Sequence, residues 1–351
     1  MTERLYLDHA ATTPMLSAAR NALIDGTLRW ANPSSPHAEG RAARAALEDA
    51  RARIGAAFGW RHEIIFTSGA SEAIKIALTT ATADSVIIAA TEHDAVHREG
   101  AKAYFLAVGG DGQVAADALT GRLGALGATR PLVVIQSANN ETGVLQPLHL
   151  LAPAVRSAGG LLFSDCSQSA GKLLLPDADL IAVSAHKLGG PPGVGALLVR
   201  SFDMIRPSGG QERGYRSGTE NLPGALGFAA AVEANRGWVE RAKDLRAHLD
   251  GAIEAAGGET VAKGAPRIAT IAGYRMPGVA AANQLIQLDM AGIAVSAGSA
   301  CSSGTIKSSP VLAAMGWDEA AASEVIRVSF GADTSRADVY RFIEAWKRIK
   351  R

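Results

Sequence analysis

The sequence predicts an α/β fold in which helices cover both faces of a mainly parallel β-sheet. Between about residues 60 and 200, short apolar runs alternate with helical patterns. Most of these runs are unbroken by polar residues and end at Gly, Pro or a polar side chain, which is typical of strands buried on both faces. The chain has 351 residues and is 48% hydrophobic. Because single cores usually stop growing below this length, we expect two domains.

Six apolar runs are the predicted strands of the first domain. In chain order they read EIIFT, SVIIAA, PLVVIQSA, GGLLFSD, DLIAVSA and GALLVR. One long helical pattern follows, from about residue 216 to 258, and then PRIATIAG, QLIQLDMAGIAVSAG and VIRVSFG supply a second set of elements. We place the domain boundary inside the helical pattern. The prediction is a large domain over residues 15–240 and a small α+β domain formed by residues 1–14 and 241–351.

Charge and cysteine content exclude several classes of protein. The 35 Lys and Arg residues balance 34 Asp and Glu residues and the signs are interspersed, so we expect no nucleic-acid or membrane partner. The first residues include no apolar stretch of a secretory signal, and we expect a cytoplasmic protein. Two cysteines far apart in the chain give neither a disulfide framework nor a metal-binding spacing. No metal site is predicted.

Three predicted strands end in residues that could hold one cofactor. EIIFT is followed by SGASEA, whose backbone N–H groups at a helix start suit a phosphate, although helix capping alone also explains this composition. Asp165 ends GGLLFSD, and Lys187 follows DLIAVSA, where a lysine could equally be an ordinary loop residue. Since the carboxyl ends of parallel strands meet at one edge, we expect the three features to lie together. They match the phosphate, ring nitrogen and aldehyde of pyridoxal phosphate.

Cys301 lies among small residues in the stretch SAGSACSSGT. A cysteine of a hydrophobic core is normally surrounded by larger apolar side chains. The composition therefore predicts a flexible loop that carries a thiol. Cys166, beside Asp165, is interpreted instead as a structural residue.

An ordered set of motifs runs along the chain: YLDHAATTP, NPSSPH, FTSGASEA, TEHDAV, ANNETG, DCSQ, SAHK, SGGQERGYRSGTEN and GSACSS. Through these motifs, in this order, the chain resembles the cysteine desulfurases of the class V aminotransferase family from Tyr6 to Gly331. The last of the motifs is the sulfur-carrying loop of one group of the family. The resemblance implies the type I fold of pyridoxal-phosphate-dependent transferases, with a seven-stranded sheet in the large domain.

The resemblance also implies a role for each matching residue. Lys187 would bind the cofactor's aldehyde and move the substrate's α-proton, His93 would stack on the ring and transfer protons, and Cys301 would receive the sulfur. The remaining implied contacts are Asp165 at the ring nitrogen, Gln168 and Asn140 near the phenolic oxygen, and Ala70, Ser71, Ser184 and His186 at the phosphate.

Two further residues are implied to act at the edges of this site. Arg327 would bind the substrate carboxylate together with Asn140, since a guanidinium suits bidentate contact with a carboxylate. Thr219 would reach the cofactor phosphate of a partner subunit, which implies a homodimer with shared active sites. The implied reaction converts L-cysteine to L-alanine and leaves a persulfide on Cys301. A sulfur-acceptor protein would follow, such as an iron–sulfur scaffold or a tRNA-thiolation protein.

Three alternatives remain open at the level of sequence. A selenocysteine lyase would use the same geometry, and another class V aminotransferase would share the cofactor but needs no thiol at Cys301. A non-catalytic binding protein would have no use for Lys187, Asp165, His93 and Cys301 together. The chain also departs from the usual family motifs at His9 and at Pro192.

Overall fold

The structure is a computed structural model that describes residues 4–127, 129–234, 237–298 and 309–349. Among these residues the strands are β1 (Leu5–Tyr6), β2 (Glu63–Thr67), β3 (Ser85–Ala89), β4 (Tyr104–Leu106), β5 (Pro131–Val134), β6 (Leu161–Asp165), β7 (Leu180–Ser184), β8 (Gly195–Val199), β9 (Glu259–Thr260), β10 (Ile271–Arg275), β11 (Ile293–Ala294), β12 (Ser296–Ala297) and β13 (Val325–Ser329). The α-helices are α1 (Ser17–Thr27), α2 (Ala38–Phe58), α3 (Ala70–Thr80), α4 (Asp94–Glu99), α5 (Ala116–Leu126), α6 (Leu148–Ser157), α7 (Leu222–Ala234), α8 (Val239–Ala255), α9 (Ala281–Met290), α10 (Pro310–Ala314), α11 (Glu319–Ala322) and α12 (Arg336–Lys347).

The main sheet has seven strands in the order β2-β8-β7-β6-β5-β3-β4. All run parallel except β8, which is antiparallel to both of its neighbours. Every residue of β5, β6, β7 and β8 is buried, because helices cover both faces. The predicted α/β fold and all six predicted strands are confirmed.

Alternate residues along each strand face opposite layers of this sheet. In β2, Ile64 belongs to a core cluster with residues of α2, α5, α6 and α7, whereas Ile65 belongs to a cluster with residues of α3 and α4. Burial of apolar surface on both faces stabilises the folded state by about 25 cal/mol per Å² of surface removed from water. The two layers hold the sheet rigid and fix its carboxyl edge, where the loops of the candidate site begin.

The sequence prediction missed one strand of the main sheet and merged two helices. Strand β4 lies at the sheet edge, where Tyr104 and Phe105 are 45% and 51% exposed. Its sequence AYFLAV is as apolar as the predicted runs, so the prediction overlooked a usable signal. The long helical pattern is divided into α7 and α8, and Gly237 between them has a φ of 77°, which a continuing helix cannot adopt.

The second, smaller core surrounds an antiparallel sheet of order β12-β13-β10-β9. Its buried residues come from both ends of the chain, including Leu7, Tyr274 and Phe342. The N-terminal strand β1 pairs in parallel with β11, so the first residues belong to this part of the molecule. The precise domain boundary stays a prediction. Within the described ranges, none of the helices is long and apolar enough to span a membrane.

Candidate active site

An open cavity of about 390 Å³ lies at the carboxyl ends of the main-sheet strands. Cavities of this size are typical of small-molecule sites at the carboxyl edge of a parallel sheet. The predicted site residues that line it are Ala70, Ser71, His93, Asn140, Asp165, Gln168, Ser184, His186 and Lys187. Pro192, one of the departures from the family motifs, lines it too.

One end of the cavity is formed by the start of helix α3. Gly69 precedes the helix with a φ of 152°, a conformation that favours glycine, and provides no side-chain cap. The N–H groups of Ala70 and Ser71 therefore keep their hydrogen-bonding capacity at the positive end of the helix dipole. Gly195 of β8 allows the backbone of Gly69 to pack closely against this strand, because a Cβ atom on residue 195 would lie 2.7 Å from the Gly69 Cα. This end of the cavity suits a phosphate.

Asp165 ends strand β6 and is 9% exposed. Its carboxylate accepts a hydrogen bond from the Ser167 N–H at 2.8 Å, and its carbonyl accepts one from the Ser137 N–H at 2.9 Å. These contacts fix the side chain at the strand end. A buried carboxylate held in this way suits a protonated ring nitrogen.

His93 is the N-cap of helix α4, where its Nδ1 accepts a hydrogen bond from the Ala95 N–H at 3.1 Å. In a neutral ring this acceptor role leaves the proton on Nε2. Burial lowers the pKa of His93, and Lys187 lowers it further, whereas Asp165 opposes the shift. The imidazole is therefore held neutral and able to exchange a proton.

Lys187 lies in a short 3₁₀ turn directly after strand β7. Its Nζ donates a hydrogen bond to the Ala10 carbonyl at 2.6 Å, and the Gln168 side chain donates to the same carbonyl at 2.9 Å. Burial and Lys187 lower the pKa of the neighbouring His186 to about 4. The backbone of Ala10 thus ties the N-terminal segment to two residues that line the cavity, Lys187 and Gln168.

Arg327, on β13 of the smaller sheet, reaches the rim of this site. Its Nη1 donates to the Asn140 carbonyl at 3.1 Å, and its Nη2 pairs with the Asp8 carboxylate at 2.8 Å. The side chain is 7% exposed. The structure therefore brings the predicted substrate-binding arginine beside Asn140, although Arg327 lies on the smaller sheet and Asn140 in the loop that follows β5 of the main sheet.

Among the described residues, the predicted Thr219 is not brought into the cavity. Thr219 is exposed, and its carbonyl accepts a hydrogen bond from the Arg216 side chain at 3.4 Å. The contact of Thr219 with a partner subunit therefore stays a prediction. Cys301 lies outside the described residues. Cys166 is fully buried, and burial raises the pKa of its thiol to about 12, so it is not a nucleophile near neutral pH.

The prediction overlooked several residues that shape the site. Asp8 holds Arg327, and the buried Glu92 accepts a hydrogen bond from the Gln136 N–H at 2.7 Å. Burial and the nearby Asp165 raise the pKa of Glu92 well above its usual range. Both acids lie inside the family motifs YLDHAATTP and TEHDAV. Their position in the motifs was a usable signal, but only the fold shows which neighbours they face.

Pyridoxal phosphate fits the residues present. The cavity combines a helix start, a carboxylate and a lysine with two buried polar atoms, Gln168 Oε1 and Ser167 Oγ, that have no hydrogen-bond partner among the described residues. Unpartnered buried polar atoms are costly unless a ligand or water completes them. These groups match the phosphate, the ring nitrogen and the aldehyde of the cofactor.

Comparison with known proteins gives the same assignment. Residues 5–342 match the family described as aminotransferase class V. The cysteine desulfurase of Gluconacetobacter diazotrophicus is 35% identical, with 98% of this chain and 93% of that protein covered. The cysteine desulfurase of Bradyrhizobium diazoefficiens is 38% identical, with coverages of 95% and 91%. The solved NifS-like protein of Rickettsia africae has a TM-score of 0.90 and 30% identity, with 99% of each chain covered.

These matches span nearly the whole length of the chain and of its relatives. They include both the large sheet that carries Asp165 and Lys187 and the smaller sheet that carries Arg327. The chain therefore belongs to the class V aminotransferase family, whose members depend on pyridoxal phosphate.

Proposed function

We propose that the protein is a cysteine desulfurase that converts L-cysteine to L-alanine and carries the released sulfur as a persulfide on Cys301. The observation that supports this most is the meeting of Lys187, Asp165 and His93 around one cavity whose rim is reached by Arg327. The relatives named as cysteine desulfurases, together with the GSACSS motif around Cys301, favour this reaction over transamination.

The cofactor would be held by residues from three strand ends. Asp165 would hold the ring nitrogen, the start of α3 with Ser184 and His186 would hold the phosphate, and Lys187 would bind the aldehyde carbon. When bound, pyridoxal phosphate supplies an electron sink that stabilises negative charge on the substrate's α-carbon.

The chain's own residues orient the substrate and move its protons. Arg327 would bind the substrate carboxylate through its planar guanidinium. Lys187 Nζ would take the proton from the α-carbon, which requires an uncharged amine. His93 would offer its Nε2 for proton transfer on the same side of the cavity.

Sulfur transfer would then take place between two thiols. The thiolate of Cys301 would attack the sulfur of the bound cysteine, because the thiolate is the nucleophilic form. An S–S bond forms while the bond between the substrate's β-carbon and its sulfur breaks. The electron pair left on that carbon takes up a proton, and the products are alanine and a persulfide on Cys301.

We also propose a homodimer in which Thr219 contributes to the partner subunit's site, and a protein acceptor for the persulfide sulfur. The exposed position of Thr219, outside the cavity of its own subunit, supports the first proposal. An iron–sulfur scaffold and a tRNA-thiolation protein are the two acceptors that the chemistry suits. We place the protein in the cytoplasm, where reducing conditions keep a carrier thiol reduced.

The direct test measures alanine and sulfide released from L-cysteine in the presence of a reductant. We expect equimolar products from the parent protein and neither product from Cys301→Ser. Cys166→Ala is the matched control, because it removes the other cysteine and should leave release unchanged. Lys187→Ala should lose the visible absorbance of the bound cofactor.

Two results would contradict the proposal. Alanine release that survives in Cys301→Ser would show that this thiol does not receive the sulfur. If the parent and Cys301→Ser both turned over selenocysteine and neither reacted with cysteine, the protein would be a selenocysteine lyase instead.

A further inference from the structure

Glu72 brings a carboxylate to the end of the cavity that suits a phosphate. It is the third residue of α3 and lines the cavity together with Ala70 and Ser71. Its carboxylate accepts a hydrogen bond from the Ser68 N–H just before the helix, so it caps the helix start. Because like charges at close range repel, the same carboxylate works against the anion that this helix start attracts.

The other charged groups of the cavity do not offset Glu72. Besides Glu72, its titratable lining residues are His93, Asp165, His186 and Lys187. Burial lowers the pKa of both histidines, that of His186 to about 4, so both are mostly neutral near pH 7. Two carboxylates and one amine remain, and Asp165 and Lys187 follow other strands. The lining residues thus supply no additional cation for a phosphate, which carries up to about two negative charges.

Arg216 supplies a cation from the loop before α7. Its Nε lies 3.1 and 3.2 Å from the two carboxylate oxygens of Glu72. The two side chains are 14% and 25% exposed, so water screens this ion pair only in part. Its Nη1 also donates to the carbonyls of Gly218 and Thr219 at 3.2 and 3.4 Å, which orients the guanidinium. The pair offsets the negative charge that Glu72 adds to this end of the cavity.

We propose that Arg216 is a positioning residue for the cofactor: it neutralises Glu72, so that α3 can be capped by a carboxylate and still accept the cofactor's phosphate. Arg216 acts through Glu72, since it does not line the cavity itself. The inference rests on the cofactor-binding part of the proposed function and is independent of the reaction that follows.

The test measures the dissociation constants of pyridoxal phosphate and of pyridoxal, which lacks the phosphate, by the visible absorbance of the full-length protein. The proteins to compare are the parent, Arg216→Met, Glu72→Gln and the double variant. Methionine keeps the apolar stem of the arginine and removes its charge, whereas glutamine keeps an oxygen that can accept the Ser68 N–H.

We expect Arg216→Met to bind pyridoxal phosphate about tenfold more weakly than the parent and to bind pyridoxal as the parent does. In the Glu72→Gln background the same change should alter the dissociation constant less than about twofold, because no carboxylate is left to neutralise. Arg216→Lys keeps the charge and should bind pyridoxal phosphate within about threefold of the parent.

An unchanged dissociation constant of pyridoxal phosphate in Arg216→Met would overturn the proposal. An equal loss in the Glu72→Gln background, or an equal loss for pyridoxal, would also overturn it and assign Arg216 a structural role in the loop that carries Thr219. If Arg216→Met does not fold, Arg216→Gln takes its place with the same expectation. A parent protein that binds pyridoxal phosphate but releases no alanine from cysteine would overturn the proposed function and leave this titration decisive for Arg216.

Discussion

At the level of single residues, the site is assembled from side chains that follow different strands. Asp165 ends β6 and Lys187 lies just after the adjacent parallel strand β7, which explains why residues distant in sequence line one cavity. Each of these positions was predictable because short motifs mark strand ends. Their contacts were not predictable, because the partners of Lys187 and Arg327, which are Ala10 and Asp8, come from the N-terminal segment far away in the sequence.

Asp8 should orient Arg327 for the substrate carboxylate. In Asp8→Asn the guanidinium loses a charged hydrogen-bond partner at 2.8 Å. We expect the KM for L-cysteine to rise about tenfold, equivalent to about 1.4 kcal/mol, with a smaller change in kcat. Steady-state kinetics measure both. Asp289→Asn, which removes the exposed partner of Arg4, is the control and should change neither. A lower KM in Asp8→Asn would mean that Asp8 competes with the substrate.

Lys172 should lower the stability of the folded protein near neutral pH. Its pKa falls from 10.5 to about 7 on folding, so between these values the unfolded chain binds more protons than the folded one. We expect Lys172→Met holoenzyme to have a higher Tm than the parent at pH 7, and the difference to shrink as the pH rises toward 10.5. Thermal unfolding across this range measures it. A Tm lower than that of the parent at pH 7 would show that Lys172 is stabilising.

At the level of elements, a buried ion pair ties the loop before α7 to the main sheet. The Glu212 carboxylate accepts hydrogen bonds from Arg51 at 2.6 and 3.0 Å and from the Phe66 N–H of β2 at 2.8 Å. Glu212 and Arg213 also have positive φ values of 48° and 59°. The loop that leads to Thr219 is therefore fixed by tertiary contacts rather than by its own backbone preference.

Removing the charge of Glu212 should be strongly destabilising. Glu212→Gln removes the buried carboxylate from the guanidinium of Arg51, which is 9% exposed, and leaves it the partly exposed Glu48 carboxylate at 3.0 Å. We expect the free energy of unfolding to fall by about 3 kcal/mol, the usual cost of breaking a buried pair. Urea denaturation measures it. The control is Glu240→Gln at the exposed pair with Lys243, where we expect a change below about 0.5 kcal/mol. Equal effects in both variants would show that burial of the Glu212 pair adds nothing.

At the level of the whole molecule, the site joins two hydrophobic cores. The large core positions Asp165 and Lys187, whereas Arg327 belongs to β13, which packs in the smaller core with the first residues of the chain. Residues from both ends of the chain therefore help to form the site. A change in how the two cores pack would separate Arg327 from Asn140 and alter substrate binding.

A mixed dimer should recover cofactor binding if active sites are shared between subunits. We expect Lys187→Ala and Thr219→Asp homodimers to retain little cofactor, because the second places a carboxylate near a phosphate. A dimer with one subunit of each kind should contain one intact site, formed by Lys187 of one subunit and Thr219 of the other. Visible absorbance after mixing and refolding measures recovery, with sedimentation to establish the dimer. Random association of equal amounts makes about half of the dimers mixed, and each mixed dimer has one intact site of two, so recovery near about a quarter of the parent value is expected.

Two outcomes would contradict shared sites. Mixed samples that retain no more cofactor than the two separate variants would show that each site is complete within one chain. A parent protein that sediments as a monomer would do the same. Thr120→Asp, at an exposed threonine of α5, is the control for the added charge and should retain cofactor normally.

The sequence by itself determined the class of the fold, the six buried strands and the family motifs at Asp165, Lys187 and Cys301. It could do so because buried parallel strands are continuous apolar runs and because strand-end residues keep their order along the chain. The tertiary structure alone decided the edge position of β4, the break between α7 and α8, and the contacts of Ala10 and Asp8. These features depend on packing between residues far apart in the chain, and no local pattern encodes which distant groups meet or how deeply they are buried.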